Sequence, residues 1–149
     1  TDGTGNIGSD TAYLAPRFKK INTIEIDIKT FEVLKNNVEA LELNNVNLIN
    51  GNTLEQLEKL KQDIIIIDAP WGGKDYKKHK KMKLYMFDQE ISELWLDNKD
   101  YAKLFIFKVP CNYDIESFKT TVGVKVDVYD YIKYKRCYYK FLVIYREGD

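Results

Sequence analysis

The chain has few of the features that mark membrane-bound or secreted proteins. No apolar run in its 149 residues approaches membrane-spanning length, and we expect neither a signal peptide nor a membrane partner. Its two cysteines, Cys111 and Cys137, form no close motif, and one distant pair is no disulfide framework. We therefore expect two free thiols in an intracellular protein of the cytoplasm or nucleus.

Other scarce features narrow the class further. The formal net charge is +0, so bulk charge predicts no polyanion partner, and the placement of the charges matters more. Three prolines are too few for a Pro-rich linker. A lone histidine, His79, has no nearby partner for catalysis, and we expect no metal site. The length and the 44% hydrophobic fraction indicate a single globular domain over residues 1–149, of unknown oligomeric state.

Apolar periodicity predicts alternating strands and helices. The fully apolar run at 63–68 is typical of a parallel strand covered on both faces. Two long alternating segments near the end, joined by a basic turn, predict an antiparallel hairpin. Thr1-Asp2-Gly3 resembles the end of a strand, so we expect a piece of a longer chain with most of its first strand missing. The predicted strands are 22–27, 46–50, 63–68, 103–109, 123–131 and 138–145, and the predicted helices are 30–43, 53–60, 84–96 and 113–119.

This order is typical of a doubly wound α/β sheet, mostly parallel, whose ligands bind outside the carboxyl ends of the strands. Gly3, Gly5 and Gly8 have GxGxxG spacing, which lets backbone approach a ligand closely. Asp27, two residues after Glu25, ends the next strand and would accept hydrogen bonds from ribose hydroxyls. The alternative is a solvated strand-end acid or a helix N-cap.

Asn52 follows the next strand, and its amide would read an adenine edge. The alternative is a turn residue beside Gly51, with Thr53 capping the following helix.

The segment Asp68-Ala69-Pro70-Trp71-Gly72-Gly73 follows the most apolar strand. Hydrogen bonds from the protons of an exocyclic amino group help to localise its lone pair and aim it at the methyl group. Asp68 and the backbone carbonyls of Ala69 and Pro70 would supply the acceptors. Pro70 stiffens the loop because its φ is fixed. Trp71 offers a plane for base stacking, with added cation–π attraction for a methylated, cationic base. The alternative is a turn with Trp71 in the core.

Six lysines lie between Lys74 and Lys83, together with Tyr76. Directly after the proposed base site, this run predicts contacts to the phosphates of an RNA end. The alternative is a solvated loop. A second basic turn contains Lys133, Lys135 and Arg136, and it is equally compatible with plain surface.

With these elements in order, the chain resembles the trimethylguanosine synthase family, which methylates N2 of a 7-methylguanosine RNA cap. The resemblance covers DGTGNIGSDT, the IEID strand end, LKNNVEAL, the NGN turn, DIIIIDAPWGGKDY and FIFKVPCNYDIESF. The loop reads Asp-Ala-Pro-Trp where the family has Ser-Pro-Pro-Trp, and the Asp resembles the Asp-Pro-Pro-Tyr loop of other amino-group methyltransferases. The family's N-terminal helical extension is absent from this sequence.

The resemblance implies a Rossmann-like methyltransferase with S-adenosylmethionine as cofactor, capped RNA as partner, and direct methyl transfer without metal. It implies catalytic roles for Asp68, Pro70 and Trp71. Cofactor contacts would come from Asp2, Gly3, Thr4, Gly5, Asp10, Thr11, Asp27, Asn52, Thr53 and Asp68, and substrate contacts from Trp71, Lys74, Tyr76, Lys77 and Lys78.

Three alternatives stay open. The chain acts on a guanine or adenine within RNA or DNA, it is a non-catalytic cap- or RNA-binding module on a methyltransferase fold, or it is a nicotinamide-linked enzyme that shares only the glycine pattern.

Overall fold

A computed structural model describes residues 1–146 of the chain. These residues form two compact units, Thr1–Ile66 and the segment from Ile67 onward. Whether the whole chain acts as one domain stays a prediction. The elements in order are α1 (Ser9–Leu14), β1 (Ile21–Glu25), α2 (Ile28–Ala40), β2 (Val46–Asn50), α3 (Thr53–Leu57), β3 (Ile64–Ile67), β4 (Tyr85–Met86), β5 (Gln89–Glu90), α4 (Ile91–Asn98), β6 (Leu104–Val109), α5 (Ile115–Val122), β7 (Asp127–Lys133) and β8 (Arg136–Tyr145).

The sheet of the first unit is parallel. β1 pairs with β2 in register from Ile21 opposite Val46 to Glu25 opposite Asn50. The first residues of the chain lie between β1 and β3, since Asp2 bridges in parallel to both Thr23 and Ile66. Its amide donates to Asn22 O at 2.8 Å. The prediction that the chain starts in strand conformation is therefore confirmed.

Helix α2 covers this sheet as its periodicity predicts. Leu34 and Val38, four residues apart on one helix face, are buried. The helix begins at Ile28, after Asp27, and ends at Ala40, so the predicted range of 30–43 is shifted by two to three residues. The shift arises because Asp27 caps the helix, which sequence periodicity does not report.

In the second unit, the predicted helix 84–96 is wrong over its first half. Residues Tyr85–Glu90 form a tight hairpin of β4 and β5, and α4 begins only at Ile91. The turn residues Phe87 and Asp88 have positive φ angles of 52° and 62°. Two consecutive left-handed residues make the two-residue hairpin turn that matches strand twist. A helical apolar spacing does not reveal this local choice.

The rest of the unit is an antiparallel sheet in the order β6, β8, β7. The predicted C-terminal hairpin is confirmed, with Tyr134 and Lys135 in its turn at positive φ. Helix α5 contributes Phe118 to the core, whose ring contacts Phe107 edge-on at 5.7 Å. The largest fully buried side chains of this sheet and its helices are Phe105, Phe107, Phe118, Ile91, Leu94 and Leu142.

The expectation of two free thiols is wrong, because Cys111 and Cys137 form a disulfide. Their Cα atoms lie 6.1 Å apart although 26 residues separate them in sequence. The antiparallel register explains the proximity: Val109 on β6 pairs with Lys140 on β8, so the residues just beyond this pair approach each other. Sequence spacing alone does not contain that register.

Candidate active site

The glycine-rich segment after the first extended residues approaches strand β1 closely. Gly5 N donates to Ile24 O at 2.8 Å. A Cβ on Gly5 would lie 2.6 Å from Thr23 Cγ2 and 3.1 Å from Ile24 O, which no side chain tolerates. Asn6 follows with a φ of 46°. Asparagine adopts this left-handed conformation more readily than most residues.

Beneath this loop lies a buried polar network centred on Asp2, which is only 2% exposed. Its carboxylate accepts from the Thr11 hydroxyl at 2.8 Å and from Thr4 N at 3.1 Å. Burial raises the pKa of Asp2, and these hydrogen bonds oppose that rise. Thr11 also shares a hydrogen bond with Thr23 at 2.9 Å. The network fixes the loop from its buried side.

Two more of the predicted cofactor residues contribute to the same support. Gly3 O accepts from the Thr53 hydroxyl at 2.6 Å, and Thr53 is 2% exposed. Asp10, partly exposed, lies in the first turn of α1. The predicted cofactor residues that belong to the glycine-rich segment or to its buried supports are Asp2, Gly3, Thr4, Gly5, Asp10, Thr11 and Thr53. Their contacts with the cofactor stay a prediction.

At the end of β1, the structure distinguishes two acids. The Asp27 side chain accepts from Thr30 N at 2.8 Å and is the N-cap of α2, so the N-cap alternative is confirmed. This hydrogen bond lowers the pKa of Asp27. Glu25, the last residue of β1, accepts from Asn6 N at 2.9 Å and from Asp27 N at 2.8 Å. Glu25 is thus the acid that contacts the glycine loop, and its position as the strand's final residue was the available signal.

Asn52 has a similar local role at the end of β2. Its side-chain oxygen accepts from Leu54 N at 2.9 Å and caps α3. The predicted cap was Thr53, which is wrong because the Thr53 hydroxyl instead bonds Gly3 O. The amide nitrogen of Asn52 is the part of the side chain that this cap does not use.

In the second unit, Asp68 directly follows β3. Its carboxylate forms an ion pair with Lys108 Nζ at 3.1 Å, and both side chains are about three-quarters buried, at 30% and 21% exposure. Lys108 is the second-last residue of β6, and its Nζ also lies 5.1 Å from the Tyr139 ring centroid. Sequence reasoning did not identify Lys108. The signal was a lysine in an otherwise apolar strand, Leu104–Val109.

Trp71 is half-buried, and its ring meets Tyr76 edge-on with centroids 5.2 Å apart. Its Nε1 is buried and has no hydrogen-bond partner among the described residues. Gly72 and Gly73 follow with φ angles of 82° and 71°, and no atom lies within 4 Å of a Cβ built on either. Because the N–H is withdrawn from solvent, the accessible part of the indole is its carbon surface, which suits stacking.

The neighbouring loop residues complete this description. Ala69 is 2% exposed, which anchors the loop, whereas Pro70 is exposed.

The lysine-rich segment is more ordered than a solvated loop. Residues Gly73–Lys78 form a 3₁₀ helix, so the alternative of a solvated loop from Lys74 to Lys83 is wrong in part. Asn112 holds the helix end by donating to Tyr76 O and His79 O, each at 2.8 Å. Lys74 and Lys77 are exposed, and Lys78 pairs with Asp75 at 2.5 Å. The predicted substrate contacts therefore share one anchored surface segment.

A cavity of about 490 Å³ in the first unit includes Asp2 among its lining residues but none of the other predicted site residues. It is lined by Ile21 and Ile64, the first residues of β1 and β3, and so lies at the amino ends of the strands. Ligands of doubly wound sheets bind at the carboxyl ends. The candidate site is therefore assigned to the loops that follow the carboxyl ends of the strands. Within residues 1–146, no helix is both long and apolar enough to cross a membrane.

Comparison with known proteins identifies the relatives of this chain. The sequence model of one family, described as RNA cap guanine-N2 methyltransferase, matches residues 2–147. An uncharacterised mimivirus protein, L320 of Acanthamoeba polyphaga mimivirus, is 33% identical over 79% of this chain and 48% of its own length. Ribosomal RNA small subunit methyltransferase D of Buchnera aphidicola is 38% identical over 46% of this chain and 37% of its own length. The chain thus spans less than half of either relative.

Solved structures identify the fold. An rRNA methylase from Streptococcus thermophilus superposes with a TM-score of 0.66 at 14% identity, covering 97% of this chain and 84% of that one. A precorrin-6y C5,15-methyltransferase from Geobacter metallireducens gives 0.62 at 16% identity, covering 95% and 76%. The predicted Rossmann-like methyltransferase fold is confirmed. Since these two enzymes have different substrates, the fold does not decide the acceptor.

Proposed function

The chain belongs to the family of RNA cap guanine-N2 methyltransferases, and we propose from this premise that it transfers a methyl group from S-adenosylmethionine to N2 of a 7-methylguanosine RNA cap. The observation that carries the proposal is Trp71, whose Nε1 is buried while the two following glycines leave space beside the loop. A cationic 7-methylguanine gains stacking and cation–π attraction from such a ring.

The residues of the first unit fit the cofactor chemically. S-adenosylmethionine, when bound, supplies an electrophilic methyl group on a sulfonium sulfur. Gly5 brings backbone close to β1, which leaves the glycine segment without side-chain bulk at that point. We assign the segment from Asp2 to Thr11 to the methionine end.

The ribose and adenine are assigned to the next two strand ends. The Glu25 carboxylate is assigned to the ribose hydroxyls in preference to Asp27, which caps α2. The Asn52 amide nitrogen is assigned to the adenine, because its oxygen caps α3. The Asn52 assignment uses the amide nitrogen that the helix cap does not use. Each Glu25 oxygen accepts one backbone N–H, and a carboxylate oxygen has a second lone pair for a ribose hydroxyl.

The acceptor loop supplies orientation and charge. Asp68 accepts from the exocyclic amino group, which aims the nitrogen lone pair away from the ring plane. Lys108 holds the carboxylate in place through the 3.1 Å ion pair. Backbone carbonyls of Ala69 and Pro70 are further acceptors, and the fixed φ of Pro70 limits their motion. These contributions are positioning and electrostatics.

We assign the RNA end to the adjoining lysine-rich segment. Lys74, Lys77 and Lys78 lie on the same 3₁₀ helix as Tyr76, whose ring packs against Trp71. A cap carries a phosphate chain directly after the guanosine, so positive charge beside the stacking residue favours binding.

A second candidate is methylation of an amino group on a guanine or adenine within RNA or DNA. The acid at position 68 favours it, since such enzymes carry Asp in the corresponding loop. The similarity to a ribosomal RNA methyltransferase over 72 residues supports an RNA acceptor of this second kind. The two candidates differ in whether 7-methylation of the guanine is required.

The test uses radiolabelled S-adenosylmethionine with 7-methylguanosine triphosphate or plain GTP. We expect transfer to the 7-methylated compound, and Trp71→Ala should lower kcat/KM by about 5- to 150-fold, because stacking contributes roughly 1–3 kcal/mol. Trp71→Phe should retain most activity. Tyr85→Ala, which removes an exposed ring on β4, is the matched control.

Other outcomes separate the alternatives. Equal transfer to GTP, or transfer only to longer RNA, would favour the second candidate. Cofactor binding without any transfer would favour a non-catalytic binding module. If the chain neither binds the cofactor nor transfers a methyl group, the assignment for this chain is contradicted.

A further inference from the structure

The hairpin of β7 and β8 has an exposed surface that the proposed reaction does not use. Tyr129, Tyr131, Tyr138 and the turn residue Tyr134 are all at least 43% exposed. Large exposed aromatic side chains are costly to solubility and mark interaction sites when they cluster. We call the tyrosines Tyr129, Tyr131, Tyr138 and Tyr139 the tyrosine surface.

These rings are in contact with one another. Tyr131 stacks on Tyr139 with centroids 4.6 Å apart and planes 5° from parallel. Tyr131 also meets Tyr138 edge-on at 6.3 Å, and Tyr139 meets Phe141 edge-on at 5.3 Å. An ordered row of rings on a strand pair offers flat faces at low entropic cost, because the partners already restrict each other.

The charge of this hairpin is predominantly positive. From Asp127 to Tyr145 the sequence contains two aspartates, three lysines and one arginine. One of the aspartates, Asp130, pairs with Lys140 at 2.7 Å. Lys133, Lys135 and Arg136 lie at the exposed turn end, beside the tyrosines. Aromatic faces interleaved with lysine and arginine are the composition that single-stranded nucleic acid recognises.

The tyrosine surface is continuous with the acceptor loop. Lys108, Phe141 and Tyr129 are register partners across β6, β8 and β7, so they project on the same side of the sheet. Lys108 contacts Asp68 on one side and lies over the Tyr139 ring on the other. The row of rings therefore begins next to the residue assigned to the acceptor base.

The hairpin is also tied to the lysine-rich segment. The disulfide joins Cys137, at the start of β8, to Cys111, and the adjacent Asn112 holds the carbonyls of Tyr76 and His79. These links connect the hairpin, the acceptor loop and the lysine-rich segment within one unit. A ligand extending from the acceptor loop would meet both basic segments.

We propose that the tyrosine surface and its basic turn bind the single-stranded RNA chain adjacent to the methylated base, by stacking on the rings and pairing with the phosphates. The inference rests on the proposed function for the identity of the polymer as RNA. It extends that function from the acceptor base to the body of the substrate.

The test measures binding of an uncapped single-stranded oligoribonucleotide, about 10 nucleotides long, by fluorescence anisotropy without cofactor. The double variant Tyr131→Ala with Tyr138→Ala should raise Kd by about 5- to 150-fold. The variant with both tyrosines changed to Phe should bind like the wild type, because it keeps the rings. Tyr145→Ala, which removes a more exposed tyrosine at the far end of β8, is the control.

The charges are tested separately through salt. Lys135→Ala with Arg136→Ala should reduce the slope of log K against log salt by about 1.4, since each lost contact with single-stranded RNA removes roughly 0.7. Circular dichroism and thermal melting establish that each variant is folded. Unchanged Kd in the tyrosine variant, or an unchanged slope in the charge variant, overturns the proposal.

Two further outcomes identify other occupants. If the wild type self-associates in sedimentation and Tyr138→Ala abolishes this while RNA binding is unaffected, the surface is an interface between copies and the proposal fails. Methyl transfer to 7-methylguanosine triphosphate should not depend on Tyr131 or Tyr138, because this compound carries no RNA chain. If the wild type binds RNA but transfers no methyl group to this compound, the proposed function is refuted. If the wild type transfers the methyl group but the tyrosine variant binds RNA as well as the wild type does, this inference alone is refuted.

Discussion

Replacing Lys108 with methionine should reduce methyl transfer while leaving cofactor binding unchanged. The ammonium lies 3.1 Å from the Asp68 carboxylate, and both side chains are more than two-thirds buried. At an effective dielectric constant of about 20, Coulomb attraction at this distance is roughly 5 kcal/mol, which is an upper bound. Solvent screening of the exposed fraction moves the value toward the ~0.2–1 kcal/mol of surface pairs.

We therefore expect a net contribution of about 1–2 kcal/mol to the positioning of Asp68, which corresponds to a loss of about 5- to 30-fold in kcat. Lys108→Arg keeps the charge and should recover most of the rate. Lys103→Met, which removes an exposed lysine just before the same strand, is the matched control. The KM for S-adenosylmethionine should not change, because the methionine, ribose and adenine are assigned to residues of the first unit, whereas Asp68 is assigned to the acceptor base.

A double-mutant cycle isolates the pair. In an Asp68→Asn background, Lys108→Met should have little further effect on kcat, because the ion pair is already absent. Steady-state kinetics of all four proteins, with melting temperatures as a check on folding, give the coupling energy. Additive effects in the cycle, or a faster Lys108→Met enzyme, would refute the view that Lys108 positions the carboxylate.

Three further predictions follow from the first unit. Glu25→Gln should raise the Kd for S-adenosylmethionine about tenfold, because it removes a charged acceptor. Asp27→Asn keeps the helix cap and should change this Kd less than about twofold, as measured by calorimetry. A larger effect of Asp27→Asn than of Glu25→Gln would instead assign the ribose to Asp27. Asn52→Ser keeps a capping oxygen, so it should leave the melting temperature nearly unchanged while weakening cofactor binding. Unaltered cofactor binding would exclude the assignment of Asn52 to the adenine. Gly5→Ala should lower the free energy of unfolding by about 2 kcal/mol, because the new Cβ would overlap β1. Gly51→Ala should lower it less, because the new Cβ would meet only a flexible glutamine side chain. Equal melting temperatures of the two variants would contradict the close approach of Gly5 to β1.

Several parts of the fold were predictable because they depend on local pattern. The parallel strand 46–50 and the run of isoleucines in β3 follow directly from composition and periodicity. The C-terminal hairpin follows from two alternating segments around a polar turn. The first half of the predicted helix at 84–96 failed, because Phe87 and Asp88 adopt left-handed conformations that no apolar spacing encodes.

The candidate site shows the same division. The glycine segment and the loop at Asp68 and Trp71 are identifiable from residue types next to predicted strand ends, and the family they indicate is confirmed. The sequence offered Asp27 and Glu25 as near-equivalent acids. Only the hydrogen bonds to Thr30 N and Asn6 N distinguish the helix cap from the loop contact.

Sequence alone therefore determined the class of fold, the family and the segments to which we assign the chemistry, because periodicity and short motifs are properties of neighbours in the chain. Tertiary structure decided the pairs: Lys108 with Asp68, and Cys111 with Cys137. Each pair joins residues far apart in the chain, and the register of strand on strand sets their distance. That register results from packing over the whole sheet, so no local pattern contains it.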